Sequence, residues 1–154
     1  RMLFGEDDKT LKMKLENCFK NDMEIFFCIG ETLDMREKKM QNEFCYLSGE
    51  DGTALAYLAQ GGHGCISVTA NVAPKLCSEM HIAWQESNIS KAQEINLKLS
   101  SLHNSLFVES SPGPVKYAAS LLGLCNEKTR LPLSKIKDDT KKAVKNCLQE
   151  LQLL

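Results

Sequence analysis

No run of about 18 consecutive apolar residues occurs in this 154-residue sequence, so no segment is expected to span a bilayer. Neither sign of charge dominates: 19 Lys and Arg stand against 20 Asp and Glu, for a formal net charge of −1. So balanced a chain exerts no global field on nucleic acid or an anionic membrane, and neither is expected as a partner. The basic stretch "KDDTKKAVKNC" near the end reads as a solvated helix face rather than a phosphate-binding patch. The opening "RMLFGEDDKT" lacks the basic-then-apolar layout of a secretory signal.

The seven cysteines (Cys18, Cys28, Cys45, Cys65, Cys77, Cys125 and Cys147) include no C-x-x-C pair, and their number is odd. Most sit inside apolar runs, which favours buried thiols in a reducing cytoplasm over disulfides or zinc. His63, His81 and His103 are too dispersed to suggest a metal site. No metal and no cofactor are expected. With 43% hydrophobic and 25% charged residues the chain is ordinary for a globular protein, and its length can enclose a core.

The periodicity alternates along the first half. Residues 7–20 read as an amphipathic helix with Leu11, Leu15, Cys18 and Phe19 on one face. "MEIFFCIG" (23–30) is a short continuous apolar run, the signature of a strand buried on both faces. The charge-rich "ETLDMREKKMQ" has helical composition, and "EFCYLSG" (43–49) is a second strand. "EDGTALAYLAQGG" is a short helix stopped by two glycines, "GCISVTA" (64–70) a third strand, and residues 73–87 a helix with Pro74 near its start. The order α-β-α-β-α-β-α at this spacing predicts parallel strands with right-handed crossovers. A doubly wound sheet and a piece of a (β/α) barrel both satisfy it.

Beyond residue 87 the strand signals stop. Residues 88–108 carry Ile89, Ala92, Ile95, Leu99 and Leu102 at helical spacing. A second helix is predicted from near Pro114 to near Gly123, "RLPLSKI" is an extended connector, and "DDTKKAVKNCLQELQLL" is a capped terminal helix. The expected fold class is therefore α/β, with about three parallel strands followed by a C-terminal helical domain.

One stretch, "GGHGCISVTANVAP" (61–74), bears most on function. Gly61 and Gly62 let the chain leave a helix through backbone angles closed to other residues. "CISV" then enters a buried strand and "TANV" forms its C-terminal end, where ligands gather in parallel α/β folds. Pattern alone also permits a plain strand and helix cap with no ligand.

"LSGEDGTALAYLAQGGHGCISVTANVAP", "SLHNSLFVESSPGPVKYAASLLGL" and "RLPL" resemble the C-terminal portion of the dihydrodipicolinate synthase family, whose enzyme is also called 4-hydroxy-tetrahydrodipicolinate synthase. The resemblance covers about residues 43–154. It implies an incomplete (β/α) barrel, with 43–87 as its last βα units and 88–154 as the family's helical domain. It also implies a cytoplasmic lyase of lysine biosynthesis that holds pyruvate as a Schiff base on lysine and condenses it with aspartate semialdehyde. Within the matching stretch, Ile66 falls where the family places a main-chain contact to pyruvate. The implied partners are pyruvate as ligand and, as protein, a second copy or a full-length synthase.

Residues 1–42 read differently. "FGE" (4–6) and "CIGETLDMRE" (28–37) are similar to an internal segment of triosephosphate isomerase, in order and at fitting spacing. That resemblance places Cys28 and Glu31 at positions supporting the isomerase active-site architecture without performing its chemistry.

Neither resemblance brings a full catalytic set. A Schiff-base lyase needs a lysine whose amine is neutral often enough to attack a carbonyl. In the synthase family that lysine lies upstream of the matching region, as do its tyrosine, threonines and arginine. Lys75 and Lys116 both sit at predicted helix starts, which are ordinarily solvated. His63 and Glu50 do not stand in motifs equivalent to the isomerase's proton-transfer residues. No catalytic residue is therefore assigned. The expected outcome is a chain inactive alone; the alternatives are synthase activity completed in trans by a partner carrying the early strands, or an assembly module docked on a full-length synthase.

Overall fold

The computed structural model describes residues 2–3, 27–28 and 45–154. The helices expected over 7–20 and 31–41, and Glu31, lie outside these residues. Four short strands form one sheet: β1 (Met2–Leu3), β2 (Phe27–Cys28), β3 (Leu47–Ser48) and β4 (Gly64–Ile66), in the order β1-β4-β3-β2. β2 and β4 both run parallel to β3, as the alternating pattern requires. β1 departs from the expectation of three parallel strands. It runs antiparallel to β4, with Met2 opposite Ile66 and Leu3 opposite Cys65. Two residues show no period, so the sequence carried no strand signal there. What favours the pairing is the outer edge of β4, whose backbone groups gain partners.

β3 and β4 are shorter than their apolar runs, for a local reason in each case. At the end of β3, Ser48 Oγ donates to the Glu50 carbonyl (3.0 Å) and accepts the Glu50 N–H (3.1 Å), which turns the chain out of the ladder. At the end of β4 the amides of Val68 and Thr69 go to a side chain instead of a neighbouring strand. The expected strand 64–70 thus stops at Ile66 and passes into a 3-10 turn, Thr69–Asn71.

Among the described residues five α-helices follow the periodicity closely: α1 (Ala54–Ala59), α2 (Pro74–Gln85), α3 (Ile89–Ser105), α4 (Gly113–Leu121) and α5 (Asp138–Glu150). A 3-10 turn, Asp51–Thr53, precedes α1. Gly61 leaves α1 at φ 93°, the left-handed angle that glycine tolerates. Gly62 serves a different purpose: a Cβ there would lie 2.2 Å from the Tyr57 ring and 2.8 Å from its carbonyl oxygen. Pro74 opens α2, and Asn88 caps α3 by accepting the Lys91 N–H (3.2 Å). The cap expected for α5 comes from far along the chain, with Glu109 accepting the Lys137 N–H at 2.8 Å. A bond from Thr140, ahead of that backbone bond, holds the Glu109 carboxyl below the usual carboxylate range.

The helices and the segment after β4 share one core. Leu99, Leu102, Leu106, Val144 and Leu148 are fully enclosed, and Ala70, Val72 and Ala73 pack into the same cluster. The strand-end segment is therefore built into the helical unit. At about 25 cal/mol per Å² of apolar surface, this shared packing is the main reason the two parts hold together. None of the described helices is long and apolar enough to cross a membrane.

Candidate functional site at the strand ends

The C-terminal ends of β3 and β4 lie side by side because the strands are parallel neighbours. The turn after β3 delivers Asp51, which is 4% exposed. Its carboxylate accepts a hydrogen bond from the Ser67 hydroxyl, one from the Val68 N–H (2.8 Å) and one from the Thr69 N–H (3.1 Å). Ser67 Oγ in turn accepts the Ala70 N–H at 2.8 Å. Asn71 Nδ2 donates to the Val68 carbonyl at 2.9 Å. Every step uses a residue type that readily bonds nearby backbone. The result is a segment, 67–71, held by side chains where a sheet ladder would otherwise hold it.

A further bond ties this segment to the helical unit. Thr69 Oγ1 lies 2.7 Å from Nδ1 of His103, in the last turn of α3. Burial pushes the His103 imidazole below its ordinary range, opposed by the nearby carboxylates of Asp51 and Glu50. His81, on α2, is lowered by burial in the same way, with Asp51 opposing.

Cys65 and Cys77 lie beneath the segment. Burial and the Asp51 charge push both thiols up to about 12, so neither supplies a thiolate nucleophile at neutral pH. Buried thiols were expected from the apolar runs around these cysteines. Asp51, Cys65, Cys77, His81 and His103 all border a cavity of about 10 Å³, room for no more than one water. This interior cluster is packing and hydrogen bonding, not a substrate chamber. Among the described residues no group of three His, Cys, Asp or Glu could hold a metal ion.

Ile66, the residue expected to meet pyruvate through its main chain, is half-buried and ends β4 immediately before the clamped segment. The residues rejected as nucleophiles lie elsewhere. The Lys75 side chain is 87% exposed and sits 3.8 Å from Glu79, one helical turn on. Lys116 is half-buried in the first turn of α4, and no described lysine is buried. His63 is structural: its Nδ1 accepts the Tyr46 N–H at 2.9 Å, and the two rings stack 5.6 Å apart. The Glu50 carboxylate accepts the Gly52 N–H at 3.0 Å and caps the 3-10 turn.

Sequence reasoning did not single out Asp51, Ser67, Thr69 or His103. A polar turn such as "SGEDG" directly after a strand is a signal that could have raised Asp51. Nothing in spacing could pair Thr69 with a histidine 34 residues later.

The sequence pattern of the "Dihydrodipicolinate synthetase family" matches residues 13–151. The chain belongs to that family. The 4-hydroxy-tetrahydrodipicolinate synthase of Gluconacetobacter diazotrophicus is 51% identical over 122 residues, 79% of this chain and 41% of that protein. The synthase of Bartonella bacilliformis is 40% identical over 148 residues, 95% of this chain and 50% of its own length. The chain thus spans roughly two-fifths to a half of the curated synthases it matches here. Among solved structures, the Thermotoga maritima dihydrodipicolinate synthase superposes with a TM-score of 0.76 at 36% identity, over 80% of this chain and 41% of that one. The Acinetobacter baumannii synthase, solved in complex with pyruvate, gives 0.71 at 35% identity, over 77% and 40%. The family match begins at residue 13 and so extends over most of residues 1–42, the stretch expected from the sequence to be isomerase-like.

Proposed function

We propose that this synthase-family chain forms the late-strand wall and the helical unit of a cytoplasmic, pyruvate-dependent Schiff-base lyase. The reaction is the condensation of pyruvate with aspartate semialdehyde in lysine biosynthesis. In this reading residues 43–87 are the last βα units of the barrel and 88–154 its helical domain. Residues 1–42 are an isomerase-like βα fragment joined to them. Ile66 offers its main chain to pyruvate. The lysine that forms the Schiff base comes from outside the described residues, and the chain has no turnover alone.

The observation that carries this reading is the clamp of Asp51 on Ser67, Val68 and Thr69. It fixes the backbone just after Ile66, at the strand end where α/β folds bind ligands. A ligand-binding backbone needs such fixing, because a mobile carbonyl loses ordering entropy on binding.

Completion in trans is favoured by one further feature. Among the described strands β2 stands at an edge of the sheet, a template for an added strand. A fragment supplying early strands and the lysine, a second copy, or a full-length synthase would each be a partner of this kind.

Borohydride reduction in the presence of pyruvate tests the proposal. The isolated chain should gain no covalent adduct and show no synthase turnover. Mixing with a fragment carrying the early strands of a synthase should restore both, with the adduct on that fragment. A pyruvate adduct on the isolated chain would sink the proposal.

A further inference from the structure

Between Ile66 and the start of α2 at Pro74 the backbone has left the sheet, so its position depends on what grips it from the side. One grip is Asp51, from the β3 side. The other is His103, from the helical unit. Thr69 is the residue where they meet: its amide donates to Asp51 and its hydroxyl bonds His103 Nδ1 at 2.7 Å. Thr69 is fully buried, and both contacts are shielded from competing water.

His103 is suited to act as a fixed post. It lies in a 17-residue helix whose Ile95, Leu99 and Leu102 are buried in the shared core. His103 is 5% exposed, and this burial confines its ring. The carboxylate side of the clamp hangs from a turn, whereas the imidazole side hangs from a 17-residue helix with fully buried Leu99 and Leu102.

We propose that His103 is a positioning residue. Acting through Thr69, it lets the helical unit set the geometry of residues 66–70 and hence the strength with which the Ile66 main chain engages pyruvate. The pyruvate part rests on the function proposed above. The mechanical part, that His103 holds the segment, stands on the hydrogen bonds alone.

Full-length chains carrying His103→Leu, His103→Asn and Ala92→Gly separate these parts. Ala92 is buried on the same helix but does not touch Thr69 through any hydrogen bond, so its variant loosens the helix without cutting the link. Amide exchange at Val68 and Thr69, read against Leu99 in α3, is the first measurement. His103→Leu should speed exchange at 68 and 69 by roughly tenfold and leave Leu99 unchanged. His103→Asn, which keeps a polar atom near the position of Nδ1, should recover most of the protection. Ala92→Gly should move the three amides together. Unchanged exchange at 68 and 69 in His103→Leu, or a shift shared equally with Leu99, overturns the proposal. If His103→Leu does not fold, Thr69→Val removes the hydroxyl with little change in shape and is read the same way.

The second measurement is a pyruvate titration of the chain mixed with the early-strand fragment, followed by the Ile66 carbonyl and Ser67 amide resonances. Roughly tenfold weaker binding in His103→Leu, with His103→Asn near wild type, is expected. Equal pyruvate affinity in wild type and His103→Leu overturns the link to ligand strength. If pyruvate leaves Ile66 unperturbed in the wild-type mixture, the Ile66 contact itself is wrong, and the exchange result alone decides whether His103 positions the segment.

Discussion

The Asp51 carboxylate accepts the backbone N–H of Val68 at 2.8 Å across 17 residues of chain, joining the ends of two neighbouring strands. The same carboxylate satisfies the Thr69 amide and the Ser67 hydroxyl. Removing it strands three donors in a buried place. Asp51→Ala is expected to lower unfolding stability by about 2–4 kcal/mol, since each bond to a charged group contributes on the order of 1.5–3 kcal/mol and part of the loss relaxes. Asp51→Asn should fall between wild type and Ala, because its amide keeps one acceptor but turns a donor toward donors. Urea midpoints of the three proteins check the order. An Asp51→Ala midpoint equal to wild type would contradict the clamp.

The thiols give a chemical test of burial. With Cys65 and Cys77 near 12, only about one molecule in ten thousand carries either thiolate at pH 8. Cys125 is exposed. Iodoacetamide treatment with mass mapping should label Cys125 first among the described cysteines. Cys65 and Cys77 should lag by roughly a thousandfold until denaturant is added. Early labelling of Cys65 would mean that the strand layer is not formed.

Acid should weaken the fold in two separate windows. Burial lowers His81 and His103 from their ordinary 6.5, so the unfolded chain binds protons that the folded chain refuses. Stability is then full above about pH 6.5 and declines as pH falls toward the lower folded values. Glu94 and Glu109 are lowered from 4.5, chiefly by bonds from Lys98 and Thr140, and what they add is lost only further down. Urea midpoints at pH 7.5 should exceed those at pH 5.0. His81→Gln should flatten the upper slope while leaving the lower one in place.

Three glycines separate crowding from backbone strain. Gly62→Ala places a Cβ 2.8 Å from a backbone carbonyl and 2.2 Å from the Tyr57 ring, so the chain itself must move. Gly113→Ala meets only the Ile136 Cγ2 methyl, at 2.7 Å, and a rotated side chain relieves part of that. Gly123, at φ 72°, has open space around it and costs backbone strain alone. The expected losses run Gly62→Ala largest, then Gly113→Ala at about 1–3 kcal/mol, then Gly123→Ala at about 1 kcal/mol. Thermal melts of the three variants rank them.

The helices were legible because their signals are local. Pro74 opens α2, and the apolar spacing of Ile95, Leu99 and Leu102 gives the buried face of α3. The parallel pairing of β2, β3 and β4 was legible too, from alternation with helices. The strand limits were not, because Ser48 and Asp51 capture backbone groups that hydrophobicity assigns to a ladder. Met2–Leu3 was invisible for the opposite reason: its pairing is decided by the edge it meets rather than by its own two residues. At the site, Ile66 emerged through a family resemblance, whereas Thr69 and His103 meet only through tertiary packing.

The reversed strand carries a kinetic consequence. A ring of parallel staves closes when its last member bonds to its first. In this chain the flank of Gly64–Ile66 is already taken, from within, by a backbone pointing the other way. An incoming stave must wait for that plug to lift. Closure of the ring with a complementary fragment should therefore be gated by a unimolecular step, its observed rate reaching a plateau as fragment concentration rises.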